Sequence, residues 1–121
     1  MELNDYQQKA MTTCLPTCEN FSYMMLNLVG EVGELASKVA KAIRKGQGTI
    51  EYDKFVSECG KERLSSEDLA NLRKEAGDIL WQLSGLCYIM GWSLDYVASE
   101  NLAKLQSRQQ RHVIDGDGDN R

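Results

Sequence analysis

Leu28-Val29-Gly30-Glu31-Val32-Gly33-Glu34-Leu35 and Leu72-Arg73-Lys74-Glu75-Ala76-Gly77-Asp78-Ile79 are two copies of one pattern, Leu-x-x-Glu-x-Gly-acid-aliphatic. On a helix turning about 100° per residue, each first acid stands about 60° from its leucine and each second acid about 120°. The acids of a copy are neighbours one turn apart, beside the apolar stripe rather than opposite it. Two such helices packed antiparallel through their stripes bring Glu31, Glu34, Glu75 and Asp78 to one place. Taken singly, acids on amphipathic helices are usually solvated surface groups. What argues for a site is the repetition of the helical angles together with a glycine, Gly33 and Gly77, that costs about 1 kcal/mol in mid-helix relative to alanine. A glycine there suits close approach by a helix or a ligand. Converging carboxylates repel unless a cation lies among them, and an all-oxygen ligand set selects a hard divalent ion, Mg²⁺ or Mn²⁺.

The rest of the chain fits an all-α domain. At 121 residues it is one domain, 1–121, with 42% hydrophobic and 26% charged residues and a single proline. A net charge of −4 argues against an electrostatic nucleic-acid binder. Cys14, Cys18, Cys59 and Cys87 form no C-x-x-C pair and, with His112 as the one histidine, no zinc pattern. Cys87 lies on an apolar helical stretch and reads as a small core residue. No apolar run approaches the roughly 18 residues of a membrane span. These features describe a soluble, cytoplasmic protein of a reducing compartment.

Residues 3–12 read as a short helix with Leu3, Tyr6 and Ala10 inward, and Thr12–Asn20 as a loop holding Pro16. Asn20 or Ser22 caps a long helix to about Lys45 on the stripe Leu28, Val32, Leu35, Val39, Ile43. Residues 49–65 read as an insertion in which Tyr52, Phe55 and Val56 suit a short helix interrupted by Gly60. Ser65 or Ser66, with Asp68, opens a second long helix to Met90 on Leu69, Leu72, Ile79, Leu83, Leu86 and Met90. Gly91 stops it, and Ser93 opens a last helix to about Arg111. Residues 112–121 form a glycine-rich, flexible tail. The expectation is a four-helix-bundle-type fold with two long antiparallel acid-bearing helices.

Basic and amide groups stand on two helices. In the last helix Asn101 lies about 20° from Leu94 on the inner stripe, flanked by Lys104 and Arg108. A polar group on a core-facing stripe needs partners, and this trio suits a phosphate beside four carboxylates. Lys38 and Lys41 follow Glu31 and Glu34 at i+7, although cations near a helix C-terminus also answer to the macrodipole. Asp115-Gly-Asp117-Gly-Asp119 is not a calcium hand, because no glutamate at position 12 and no helix follows. Neither long helix carries the histidines of a di-iron bundle.

Glu31-x-x-Glu34 and Glu75-x-x-Asp78, set in Gly-Glu-Val-Gly-Glu-Leu and Lys-Glu-Ala-Gly-Asp-Ile-Leu-Trp, resemble the MazG-like nucleoside triphosphate pyrophosphohydrolases, all-α relatives of the dimeric dUTPases. Asn101-Leu-Ala-Lys104-Leu-Gln-Ser-Arg108 and the Gly-Asp-Gly-Asp-Asn-Arg121 ending, with Tyr6-Gln7-Gln8 near the start, extend the likeness over nearly the whole chain. The gap between Glu34 and Glu75 is longer than usual in that family, and His112 and Asp117 stand where glycine and serine are common. The resemblance implies hydrolysis of a nucleoside triphosphate between its α- and β-phosphates, with Mg²⁺ (Mn²⁺ as a substitute) held by Glu31, Glu34, Glu75 and Asp78. Glu34 is the expected proton acceptor. Lys38, Lys41, Asn101, Lys104, Arg108 and Arg121 are the expected phosphate ligands, and Gln8, with Tyr6 or Trp81, meets the base. A homodimer or homotetramer is implied, with neither nucleic acid nor membrane as partner. The rival class is a non-catalytic oligomeric helical adaptor or metal-binding module.

Overall fold

A computed structural model of the chain describes residues 1–51, 54–57 and 64–121. The order is helix α1 (Leu3–Met11), a 3-10 turn (Pro16–Cys18), helix α2 (Phe21–Arg44), strands β1 (Gly48–Glu51) and β2 (Lys54–Ser57), and helices α3 (Ser66–Ile89) and α4 (Leu94–Gln110). The helix starts follow from side-chain chemistry. Asn20 Oδ1 accepts from the Tyr23 N–H at 2.8 Å to open α2. Ser65 Oγ and Asp68 Oδ2 accept from each other's backbone N–H at 3.1 Å, the reciprocal box expected for α3. Ser93 Oγ accepts from the Tyr96 N–H at 3.0 Å and opens α4. Gly46 and Gly91 follow α2 and α3 with φ of +69° and +74°, a left-handed turn that a side chain would strain.

The two long helices run in opposite directions. Met24 presses on Gly85, Lys38 pairs with Glu75, and Lys45 shares a cleft with Leu64 and Asp68. Matching residues therefore descend along α3 as they climb α2. Helix α1 is bolted to α3 and to the start of α4 by Gln7, which is buried. Its Nε2 donates to the Ser84 carbonyl at 3.2 Å and the Trp92 carbonyl at 3.0 Å, and its Oε1 accepts from the Leu94 N–H at 3.0 Å. Trp81 Nε1 donates to the Ala10 carbonyl at 3.2 Å and to Thr13 Oγ1 at 3.0 Å. Cys87 is buried, as its apolar surroundings in the sequence imply.

In place of the short helix expected in 49–65, the described residues 49–51 and 54–57 are strands. Gly48–Glu51 and Lys54–Ser57 form an antiparallel hairpin, with Thr49 opposite Val56 and Ile50 opposite Phe55. β-Branched and aromatic residues favour that extended pairing, and the Phe55 ring lies where a side chain at residue 48 would stand. Tyr52, Cys59 and Gly60 lie outside the described residues. Several stripe residues expected inward are exposed: Leu3, Val32, Ile43, Leu69, Leu83 and Met90. The stripes of α2 and α3 are wider than the strip one helix covers on the other, so their flanks stay open. On α4, residues 99–107 are all exposed, so Asn101 and Leu105 stand on no inner stripe. The buried residues of α4 are Leu94 at its start and Arg108 near its end.

Gln7→Ala removes three hydrogen bonds, two of them buried, and strands their backbone partners, and is expected to cost about 3 kcal/mol of stability in urea unfolding.

Candidate active site

Glu31 and Glu34 on α2 and Glu75 on α3 each offer a carboxylate oxygen within 4.8 Å of the others. The antiparallel pairing and the matched capping turns produce this convergence, because they fix which turn of α3 lies against residues 31–38. Asp78, one turn beyond Glu75 and one methylene shorter than glutamate, stands outside that tight group. It remains close enough to act electrostatically on Glu31. Partial burial pushes the Glu31 carboxyl above the ordinary range, and the charges of Glu34, Asp78 and Glu75 push it the same way.

Glu75 is the buried member, its side chain 9% exposed. One oxygen ion-pairs with Lys38, and that contact, chiefly its hydrogen bond, holds the Lys38 ammonium above its usual range. The other oxygen, Oε2, is buried with no hydrogen-bond partner among the described residues. A buried carboxylate oxygen without a donor is costly and marks where a cation fits.

Two residues that sequence reasoning passed over extend the site. Asn27 Nδ2 donates to Glu31 Oε1 at 3.3 Å and to the Tyr23 hydroxyl at 3.4 Å, so it orients one acid from the turn before it. Burial raises the Tyr23 hydroxyl above its usual pKa, and a hydrogen bond with Cys18 adds to this. The only sequence signal was position: Asn27 and Tyr23 precede Glu31 at i−4 and i−8, on the same helical face.

At the other end of the cluster, Lys38 also lines a cleft of about 260 Å³ between the second half of α2 and the first half of α3. Lys41, Lys45, Gln47, Asp68 and Asn71 stand around it. Lys38 and Lys41 therefore share one space next to the acids. Gly33 and Gly77 do not serve helix packing: a Cβ at either meets nothing within 4 Å.

The remaining expected residues lie elsewhere. Gln8 is exposed on α1. Tyr6 is near Asp78, whose charge adds to the effect of burial in raising the Tyr6 hydroxyl pKa. The Trp81 N–H is engaged by α1, so its polar edge is not offered to a base. Asn101 lies exposed in a shallow groove with Val97, Glu100 and Lys104. Lys104 and Arg108 both contact Asp119, which their hydrogen bonds and charges hold below the usual carboxylate range. Neither is among the charges acting on Glu31. Arg121 is not a free cation: its guanidinium donates to the carbonyls of Val113, Ile114 and Gly118, folding residues 112–121 onto themselves.

Residues 19–113, which contain every one of the paired acids, match the family described as the MazG nucleotide pyrophosphohydrolase domain. The chain belongs to that family. Over its whole length it is also 35% identical to the whole of the Gene 37 protein of Mycobacterium phage L5, whose name states no activity. No solved structure matches the chain significantly. As a MazG protein it is mainly helical, of a family that acts on nucleotides and generally depends on divalent metal. Among the described residues no helix is long and apolar enough to cross a membrane.

Two substitutions test the electrostatics and the spare room. Glu31→Gln keeps the acceptor for Asn27 but removes one of the mutually repelling charges. In chelator-treated protein it should raise stability by about 0.5 kcal/mol, the scale of a screened like-charge pair. Gly77→Ala, with open space beside it, should add about 0.5–1 kcal/mol. Thermal unfolding reads both.

Proposed function

We propose that this protein is a Mg²⁺-dependent nucleoside triphosphate pyrophosphohydrolase that cuts between the α- and β-phosphates, releasing a nucleoside monophosphate and pyrophosphate. The observation that carries this reading is the convergence of Glu31, Glu34 and Glu75 within 4.8 Å, with a buried oxygen of Glu75 left without a partner, in a chain of the MazG family. The donor set is all oxygen and fits a hard divalent ion, with Mn²⁺ as a substitute. Glu31, Glu34, Glu75 and Asp78 would hold it. Bound there, the ion supplies charge neutralisation for the triphosphate and a lowered pKa for an attacking water.

The chain's own residues supply the rest. Glu34, the exposed member of the cluster, accepts the proton of the attacking water. Asn27 keeps the Glu31 carboxylate turned into the cluster through its 3.3 Å hydrogen bond. Lys38, which pairs with Glu75, and Lys41 line one cleft and meet phosphate oxygens there, stabilising the charge that develops on the leaving pyrophosphate. Lys104 and Arg108, with Asn101, offer a second set of phosphate donors on α4. Gln8 is free on the surface to meet a base.

The protein acts as a homodimer or homotetramer in the cytoplasm. Supporting assembly, Leu26 and Val29 on α2 are 76% and 67% exposed and Leu102 on α4 is 58% exposed, apolar surface that a second copy would cover.

A panel of ribo- and deoxynucleoside triphosphates, assayed for pyrophosphate with and without Mg²⁺, is expected to show Mg²⁺-dependent release from at least one of them. Glu34→Gln and Asp78→Asn should each lower that rate by about 100-fold or more, and the substrate preferred reports the base selectivity. If no triphosphate yields pyrophosphate and Mg²⁺ leaves the melting temperature unchanged, the chain is a non-catalytic helical module instead.

A further inference from the structure

We propose that Asp119 is a resident competitor at the phosphate donors Lys104 and Arg108, occupying them until the nucleotide's phosphates displace it. The proposal rests on the reading of the protein as a nucleotide pyrophosphohydrolase and adds a built-in competitor to it.

Arg108 is an unusual member of α4. The helix around it is exposed, yet Arg108 itself is only 5% exposed. Its Nη2 donates to Asp119 Oδ1 at 3.2 Å, to the Asp119 carbonyl at 3.1 Å and to the Gly118 carbonyl at 3.5 Å. Lys104 Nζ donates to the same Asp119 Oδ1 at 3.3 Å. Two cations thus converge on one carboxylate oxygen. Meanwhile Arg108 Nε is buried with no hydrogen-bond partner among the described residues. A guanidinium is a planar fork of five N–H donors that prefers to bind oxygens in pairs. Asp119 satisfies one tine of that fork. A phosphate presents three oxygens and more charge, and suits the fork and the neighbouring ammonium together.

The two sides of this contact differ in freedom. Arg108 is packed in place, whereas the Asp119 side chain is 82% exposed. The loop that delivers Asp119 is fastened without it. Arg121 holds three carbonyls, Arg111 Nη2 donates to the Arg121 carbonyl at 2.7 Å, and the Gly116 N–H donates to the Val113 carbonyl at 3.0 Å. A Cβ at residue 116 would stand 2.7 Å from Arg121 Cδ, so a larger residue there would have to push the Arg121 side chain aside. Asp119 can swing outward while the loop stays folded. Its resident carboxylate also answers a physical need, because a buried guanidinium lacking a counter-charge is costly. Phosphate binding becomes an exchange of anions rather than the filling of a vacant cationic hole.

The test is the affinity of the full-length protein for inorganic pyrophosphate, measured by calorimetry without divalent ions. Asp119→Asn, which keeps the side chain's shape and removes its charge, is expected to bind pyrophosphate about three- to fivefold more tightly than wild type, the range of a screened ion pair. Arg108→Gln should weaken binding in either background. Unchanged or weaker binding by Asp119→Asn overturns the proposal, because a merely positioning carboxylate would weaken the site when neutralised. Should that variant fold poorly, the wild-type protein decides by NMR. Pyrophosphate is expected to shift both the Asp119 carboxyl carbon and the Arg108 Nε–H signal, and no shift in either overturns it. A tighter Asp119→Asn variant that hydrolyses no triphosphate would leave the anion site standing and remove the enzyme reading. Hydrolysis with unaltered pyrophosphate affinity would do the reverse.

Discussion

The contact between Lys38 and the buried Glu75 is the constraint on which the rest of the structure depends. Glu75 faces α2 from within the seam, where Glu31 and Glu34 already stand. Three carboxylates at that spacing would force the helices apart if nothing neutralised them. One ammonium, reached from the next turn of the same helix as the other acids, lets the seam close. The register this requires is narrow. It is fixed at both ends of α3, by the Ser65–Asp68 capping box and by Gln7 clamping the junction of α3 and α4.

Much of this was legible in the residues. The doubled Leu-x-x-Glu-x-Gly pattern located both long helices, and the first of the two cap candidates at each (Asn20 or Ser22, Ser65 or Ser66) is the one used. Ser93 marked the start of α4, and Gly91 the stop of α3. The pairing of Glu31 and Glu34 with Glu75 followed from angles on a helical wheel, because both copies carry the same phase. What was not legible has physical causes. Helical periodicity reports which residues are apolar, not how wide a strip a neighbour covers, so Val32, Ile43 and Leu105 were assigned to an interior this chain does not supply. The pairing of Gly48–Glu51 with Lys54–Ser57 was obscured because four-residue strands carry little periodic signal beside a stretch rich in charges. Asn27 escaped notice because an amide two turns inside a helix looks like any surface asparagine until its partner is seen.

The tail was the other surprise. A run of glycines and aspartates ending in arginine reads as disorder by composition. Here the last residue returns to the start of its own loop, and its guanidinium takes the carbonyl groups that such a loop leaves open. Composition describes what a segment contains; hydrogen-bonding demand decides what it does when a donor with several N–H groups sits at its end.

Lys38 against Glu75 and Asp119 against Arg108 share one property: each pairs a buried charge with a solvent-reaching side chain of opposite sign. The folded chain carries its own counter-ions. Changing either exposed partner would therefore leave a buried charge without its counter-charge, not merely alter the surface.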